Sequence, residues 1–272
     1  MAKVGIIAGR GDLPATLARC CEASGRAVFV MAFEGQTNPD PIRSFDHAWG
    51  RLGAAGEAIQ RLKSEGVTQI VMAGGMTRPS LAELKPDLWT IRALSKLGFS
   101  SRGDDGLLGG IVKLLESEGF ELIGADDILQ GLLAESGCYG AQSPDEQARD
   151  DIQRGVEVAR ALGQVDVGQA VVVQQGLVLG VEAVEGTDAL LTRCKTLRRE
   201  GLGGVLVKMK KPNQERRVDL PTVGLETVER AHEAGLRGIA VEAGGALVLN
   251  REGVARLADA KSIFVMGIAP DP

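Results

Sequence analysis

Lys3-Val-Gly-Ile-Ile-Ala-Gly-Arg-Gly-Asp-Leu-Pro14 opens the chain and sets its fold class. Val4 to Ala8 is an apolar run of the length of a buried strand. Gly9-Arg10-Gly11 is a tight turn, and Pro14 suits the first turn of a helix. That helix runs to about Cys21 or Ala23, and Ala27 to Phe33 is a second strand. The pattern is β-α-β, with a glycine turn at the carboxyl end of the first strand, where open α/β sheets bind ligands. The turn is G-x-G without the third glycine of G-x-G-x-x-G, because position 14 is proline. A full dinucleotide fingerprint is therefore absent. Contact of Gly9 and Gly11 with a phosphate competes with a plainer role in closing the turn. Glu34, at the end of the second strand, is placed to reach a ribose.

A second turn of the same kind supports a ligand edge. Gln69 to Met72 reads as a strand, and Ala73-Gly74-Gly75-Met76-Thr77-Arg78-Pro79 follows it. In a parallel sheet both turns lie on one edge. Helical patterns fit Gly53 to Lys63, parts of Ser80 to Phe99, and Asp104 to about Glu118, with a short strand at Phe120 to Ile123. From Gly131 to Asp145 the periodicity dissolves, and Ser143-Pro144-Asp145-Glu146 then starts a strongly signed helix to about Leu162. The expected organisation is α/β throughout. A Rossmann-like domain with an open parallel sheet covers 1–135, a linker covers 136–145, and a C-terminal α/β catalytic domain covers 146–272. Gln169–Gln174, Gln175-Gly176 and Leu177–Glu182 form a hairpin, so the second sheet is mixed.

Bulk properties narrow the classes. The chain has 272 residues, 44% hydrophobic and 25% charged, with a net charge of -5. These are the proportions of a globular protein. Only 3% of residues are aromatic and the pI is near 5.3, which argues against a nucleic-acid partner. No apolar run reaches the length of a membrane span, and the N-terminus begins a strand rather than a signal peptide. Cys20, Cys21, Cys138 and Cys194 show no disulfide or metal spacing, so they are expected as reduced thiols of a cytoplasmic protein. With two histidines, any metal is expected to be a hard, oxygen-bound ion.

Against that acidic background one stretch is conspicuous. Lys208-Met-Lys-Lys-Pro-Asn-Gln-Glu-Arg-Arg-Val-Asp219 holds five cations directly after the apolar run Gly204 to Val207. Pro212 keeps it out of a helix or a central strand. Lys208, Lys211 and Arg217 suit phosphate oxygens. The carboxylates Asp104, Asp105, Glu182, Glu185, Asp188 and Asp219 make up a ligand pool for Mg²⁺. Helix capping competes for Asp104, Asp105 and Asp188.

Six motifs in order resemble the LpxI family of UDP-2,3-diacylglucosamine pyrophosphatases over essentially the full length. They are Ile6–Pro14, Met72–Pro79, Arg102–Leu108, Asp166–Val173, Val181–Asp188 and Lys208–Thr222. Arg10 departs from the small residue associated with the family's first turn, and Gly106 from its alanine. The resemblance implies a two-domain Mg²⁺-dependent hydrolase with its ligand between the domains. It would cleave a nucleotide-sugar lipid to UMP and 2,3-diacylglucosamine 1-phosphate in lipid A synthesis. It also implies a homodimer in transient contact with the inner membrane surface, with no nucleic-acid partner.

By the same resemblance Asp219, before Leu-Pro-Thr222, matters for turnover, beside Lys208 and Arg217 as catalytic groups. The expected substrate-binding set is Gly9, Arg10, Gly11, Gly74, Gly75 and Thr77 from the two turns, Gln169 from the fourth motif, and Lys211, Gln214 and Thr222 from the last. The competing readings are an NAD(P)-dependent oxidoreductase, suggested by G-x-G and Glu34, and a non-catalytic nucleotide-sugar sensor.

Overall fold

The computed structural model describes residues 2–77, 84–97, 104–212, 217 and 220–269, with the side chains of 94, 96, 97, 104, 105, 107 and 130 excepted. The chain divides into two compact units. The first is Met1–Gln130 with Glu215–Asp219, and the second is Gly131–Gln214 with Leu220–Pro272.

The first unit is built on five parallel strands: β1 (Lys3–Ala8), β2 (Val28–Phe33), β3 (His47–Gly50), β4 (Val67–Ala73) and β5 (Glu121–Leu122). Their order is β3-β2-β1-β4-β5. This is the doubly wound order, in which the sheet grows one way from β1 and then the other. The switch falls between β1 and β4, so the turns after these two strands stand side by side. All six residues of β2 are buried, which its unbroken apolar run Val-Phe-Val-Met-Ala-Phe requires of a strand covered on both faces. The helix Ala55–Ser64 buries Ala58, Ile59 and Leu62 among Phe29, Val67 and Ile70. Val112 and Leu115 of the helix Asp104–Ser117 join the same cluster. Strand β3 has no counterpart in the sequence reading, because His-Ala-Trp-Gly is short and only partly buried at the sheet edge.

The helix Ala55–Ser64 starts without a side-chain cap of its own. Asp87 stands in, accepting from the Gly56 N–H at 3.1 Å and from the Thr90 N–H at 2.6 Å. Burial raises the Asp87 pKa. The hydrogen bonds from the Thr90 backbone and hydroxyl, and from the Gly56 and Glu57 backbones, outweigh it and hold the carboxyl below 3.8.

The second unit carries six strands in the order β6-β13-β11-β9-β7-β8. They are β6 (Gly137–Cys138), β7 (Ala170–Gln174), β8 (Leu177–Val181), β9 (Val205–Lys208), β11 (Gly238–Glu242) and β13 (Phe264–Ile268). Strands β9, β11 and β13 are parallel, while β6, β7 and β8 pair antiparallel at the flanks, so the sheet is mixed as expected. Two short strands, β10 (Thr222–Val223) and β12 (Leu247–Val248), pair in parallel apart from it. The period of two sorts β7 onto both cores. Ala170 and Val172 face the helices Gly186–Leu197, Leu225–Glu233 and Arg251–Ala260, and Val171 and Val173 face the helix Glu146–Gln164.

The expected hairpin is present. Gln175 and Gly176 both have positive φ, 54° and 75°, the pair of values a primed two-residue turn needs. Asp151, 1% exposed on the helix Glu146–Gln164, accepts from the N–H groups of Gln175 at 3.1 Å and Gly176 at 2.7 Å. The stretch 136–145 that reads as a linker holds β6, and the Tyr139 N–H donates to Val265 O at 2.9 Å. Asp145 caps the helix Glu146–Gln164 through the Ala148 N–H at 2.8 Å, as its Ser-Pro-Asp-Glu start requires.

Among the described residues no helix is long and apolar enough to cross a membrane. The four cysteines are free thiols.

Candidate functional site

The two glycine turns of the first unit meet at the switch point, and their contact explains their glycines. Gly9 N–H donates to Ala73 O at 2.7 Å, and Arg10 N–H donates to Gly75 O at 2.8 Å. A Cβ on Gly9 would sit 2.5 Å from Gly74 O, and one on Gly74 would sit 2.3 Å from Arg10 O. Gly74 also holds φ at 86°, a value that favours glycine. These two glycines therefore let backbone close on backbone. Gly11 and Gly75 differ, since a Cβ on either would meet nothing within 4 Å. They line open space at the strand ends.

Arg10 spans the two turns. Its guanidinium donates to the Thr77 hydroxyl. Thr77 is clamped in turn by Gln36, whose amide oxygen accepts from the Thr77 N–H at 2.8 Å and whose amide nitrogen donates to Thr77 O at 3.2 Å. The loop after β2 is tied to β1 by Thr37. Its hydroxyl accepts from the Phe33 N–H at 2.9 Å and donates to Ala8 O at 2.5 Å. Gly9, Arg10, Gly11, Gly74, Gly75 and Thr77 are thus brought together, and Gln36 and Thr37, unmarked in the sequence reading, fix their arrangement. A polar pair three and four residues past a buried strand is the signal that marks them. Glu34 is exposed on this loop.

The second unit gathers its cations where β9 ends. Lys208 is 6% exposed, and its ammonium donates to Thr222 O at 3.1 Å. Lys211, 9% exposed, pairs with Asp166 at 2.6 Å. The Lys210 N–H donates to Glu242, at the end of the neighbouring β11, at 2.9 Å. Burying an ammonium costs several kcal/mol unless it is compensated. A single carbonyl is weak compensation for Lys208, whereas Lys211 has a carboxylate. Gln169 lies alongside: its carbonyl accepts from the Met209 N–H at 2.9 Å, while its side-chain oxygen is buried without a hydrogen-bond partner among the described residues. Lys208, Lys211, Gln169 and Thr222 are therefore neighbours around one strand end. Asp166 and Glu242 join them and were not singled out by sequence; Glu242 closes β11, whereas Asp166 lies just past the helix Glu146–Gln164.

Three of the six acids expected as metal ligands, Glu182, Glu185 and Asp188, have partners within the unit. Glu182, 6% exposed, accepts from the Gln169 N–H at 3.1 Å and the Thr187 hydroxyl at 2.7 Å. Glu185 accepts from the Ala183 N–H at 3.1 Å and pairs with Arg193 at 2.7 Å. Its own backbone N–H, then Arg193 and Ala183, lower its pKa against a smaller opposing push from burial. Asp188 pairs with Arg230 at 3.4 Å. No three His, Cys, Asp or Glu among the described residues converge as a ligand set. The side chains of Asp104 and Asp105, which begin the helix Asp104–Ser117, lie outside the described residues, as do Gln214 and Asp219. Arg217 is described, and it pairs with Glu116 at 2.9 Å, near the end of that same helix.

Comparison with known proteins assigns both halves. Residues 3–132 match the LpxI N-terminal domain and residues 135–266 the LpxI C-terminal domain. The chain is 43% identical over 277 aligned positions to a UDP-2,3-diacylglucosamine pyrophosphatase LpxI of Caulobacter vibrioides, and the match covers 99% of each chain. Among solved structures, CobK precorrin-6A reductase aligns over 100% of this chain and 89% of its own, at 12% identity and a TM-score of 0.32, too slight a likeness to carry an argument.

Proposed function

The chain belongs to the LpxI family along both of its domains, and from that premise we propose that it hydrolyses the pyrophosphate of UDP-2,3-diacylglucosamine. A water attacks phosphorus, the bridging P–O bond breaks, and UMP and 2,3-diacylglucosamine 1-phosphate leave. The relative that is 43% identical over 99% of the chain is named for this activity. The observation that carries the reading in the structure is Lys208, a buried cation with one carbonyl acceptor beside the unpartnered Gln169 oxygen. Such a pair suits a ligand with anionic oxygens and a donor group. Pyrophosphate cleavage spreads negative charge over the phosphate oxygens, and preorganised cations stabilise it where it develops. Lys208 and Lys211 do this from the strand end and Arg217 from the following segment. Asp219 orients or deprotonates the attacking water.

Mg²⁺ belongs to the reading as a cofactor and, when bound, supplies further charge neutralisation on the phosphates. Because Glu182, Glu185 and Asp188 spend their oxygens on hydrogen bonds and ion pairs within the unit, the residues that would hold it are Asp104, Asp105 and Asp219. Their carboxylates are the hard oxygen donors this ion takes. The turns after β1 and β4, with Arg10, Gly11, Gly75 and Thr77, take the nucleotide side. The oxidoreductase reading loses part of its motive, since the contact between the turns accounts for Gly9 without a dinucleotide.

The protein acts in the cytoplasm as a homodimer in transient contact with the inner membrane, where such a lipid resides. The test is UMP release from UDP-2,3-diacylglucosamine with Mg²⁺ and with EDTA. Release that requires Mg²⁺, and that Asp219→Ala abolishes, is the expected result. Tight binding of the lipid without UMP release under either condition would make the protein a sensor instead.

A further inference from the structure

A single exposed valine is ordinary on a protein surface. Three on two loops that are fastened together need an account. Val165 and Val167 follow the helix Glu146–Gln164, and Val184 follows β8. They are 67%, 45% and 96% exposed. The two loops are held against each other: a Cβ on Gly168 would sit 2.0 Å from Glu182 O, and the Gln169 N–H donates to Glu182 Oε2 at 3.1 Å. Asp166 turns the first loop at a φ of 55°, in the left-handed region that aspartate tolerates. Its carboxylate is fixed by Lys211 at 2.6 Å, which leaves Val165 and Val167 exposed on either side. In the second loop the Glu185 carboxylate accepts from the Ala183 N–H at 3.1 Å and so brackets Val184. The valines stand on a braced tip.

That tip lies at the ligand edge of the second unit. Ala170, where β7 starts, is in register with Lys208 on one side. On the other side its carbonyl accepts from the Glu182 N–H at 2.8 Å. One strand therefore separates the tip from the cationic end of β9. The charges of the two loops answer one another: Asp166 pairs with Lys211 and Glu185 with Arg193, while Glu182 accepts from Gln169 and Thr187. What the tip offers outward is aliphatic. Another protein or a bilayer can bury such side chains. A stable protein interface buries about 800 Å² on each partner around a packed centre, and three valines fall far short of that. A bilayer asks for no matching shape, because apolar side chains enter the boundary between headgroups and acyl chains.

We propose that the tip formed by Val165, Val167 and Val184 docks the second unit on a phospholipid bilayer, by apolar insertion and not by charge. The assignment rests on the hydrolase reading above and gives the membrane contact of that reading a place on the molecule. A polybasic contact weakens as salt screens it. This one is expected to keep its strength.

The experiment is flotation of the full chain with vesicles of phosphatidylethanolamine and phosphatidylglycerol. Val165→Ser and Val184→Ser change exposed side chains, so folding is little affected. The parent is expected to float. Each serine variant should lower the bound fraction about threefold and the double variant about tenfold, while Val184→Trp should raise it. High salt should leave the parent's bound fraction within about a factor of two. In turnover, the double variant should raise KM about tenfold for substrate presented in vesicles, with kcat and KM at parental values for the same substrate dispersed in detergent. A parent that stays in the soluble fraction, serine variants that float like it, or binding that salt abolishes would each overturn the docking. Equal KM changes in both presentations would do so as well, by making the valines part of the reaction site. Sedimentation of the double variant checks the other occupant: a shift in oligomeric state with unchanged flotation would make the tip an interface between copies and sink the proposal. Flotation that depends on the valines, in a parent that releases no UMP from either presentation, would instead overturn the hydrolase reading and leave the docking in place.

Discussion

The two units meet ligand-like demands at the carboxyl ends of their strands in opposite ways. In the first, backbone closes on backbone: Gly9 and Gly74 bring the turns after β1 and β4 into contact, and Arg10, the cation there among the described residues, donates to Thr77 within the protein. In the second, side chains dominate: among the described residues Lys208 is buried with one carbonyl, and the Gln169 oxygen has no partner. The first unit is thus self-satisfied at its ligand edge and offers shape. The second holds polar groups whose desolvation is incompletely repaid, which is the mark of a site organised for something that arrives later.

That contrast breaks most visibly at Lys208. Replacement by Met removes an ammonium whose burial is poorly compensated and keeps a flexible chain of similar length. Stability is expected to hold or to rise, because exchanging a buried charge for an apolar group is often neutral or better. UMP release is expected to fall about 10²- to 10³-fold, the size seen when one preorganised electrostatic contact to a transition state is lost. Thermal melting beside kcat decides the matter. A variant that melts early and turns over normally would make Lys208 a structural residue and erase the distinction between the units.

The glycines of the first unit give the next largest effect, and here stability should move rather than chemistry. Gly74→Ala adds a Cβ 2.3 Å from Arg10 O at a φ of 86°. Strain and collision together predict a loss of about 2–4 kcal/mol in denaturant unfolding. At Gly75 the added methyl meets nothing within 4 Å, so Gly75→Ala should stay within about 0.5 kcal/mol. If the neighbouring glycines respond alike, the contact between the turns is not what selects Gly74.

How far the sequence carried the reading differs between the units for the same reasons. The parallel core of the first unit was legible because fully covered strands are unbroken apolar runs, as in Val28 to Phe33. The hairpin of the second was legible because Gln175-Gly176 is a turn that only a few residue types fit. Strand β3 was not legible, since an edge strand of four half-buried residues carries little periodicity. The acids of Val181–Asp188 suggested a metal site by their density. The structure gives each of Glu182, Glu185 and Asp188 a hydrogen bond or an ion pair, because a strand-to-helix junction must satisfy its own donors. Conversely Asp166 and Gln36 were passed over. Their roles depend on partners 45 and 41 residues away in sequence, so a local pattern can mark the residue type and not the pairing.

A smaller difference between the units lies in acid. Asp87 in the first unit has a lowered pKa because hydrogen bonds to Thr90, Gly56 and Glu57 outweigh its burial. A carboxyl depressed on folding contributes stability that is complete above its ordinary value of 3.8 and disappears as pH falls through the lower folded value. Asp87→Asn should therefore cost about 1 kcal/mol at pH 7, with parent and variant converging as the pH falls past the lowered pKa of Asp87. Asp145 in the second unit is also lowered, chiefly by the hydrogen bond from Arg237, but on an exposed surface where salt screens the pair. Added salt should shrink the effect of Asp145→Asn and leave that of Asp87→Asn nearly unchanged. Equal salt sensitivity would show that Asp87 acts as a surface charge and not as the cap of the helix Ala55–Ser64.

The smallest effect touches neither turnover nor stability, yet it asks whether the two units unfold as one. Each carries a buried thiol whose pKa burial raises: Cys21 on the helix Leu13–Ala23 and Cys194 on the helix Gly186–Leu197. Both are slow nucleophiles in the native state, because the thiolate is what reacts. Cys138 is exposed and should take a maleimide first. In a Cys20→Ser, Cys138→Ser background, labelling across a urea series then reports one unit per thiol. Cys194 belongs to a cluster of twenty buried residues with Leu190, Val228 and Val254, and Cys21 is expected to become reactive at lower urea. Coincident labelling would mean that the units share one cooperative transition, and that strain introduced at Gly74 should be felt at Lys208.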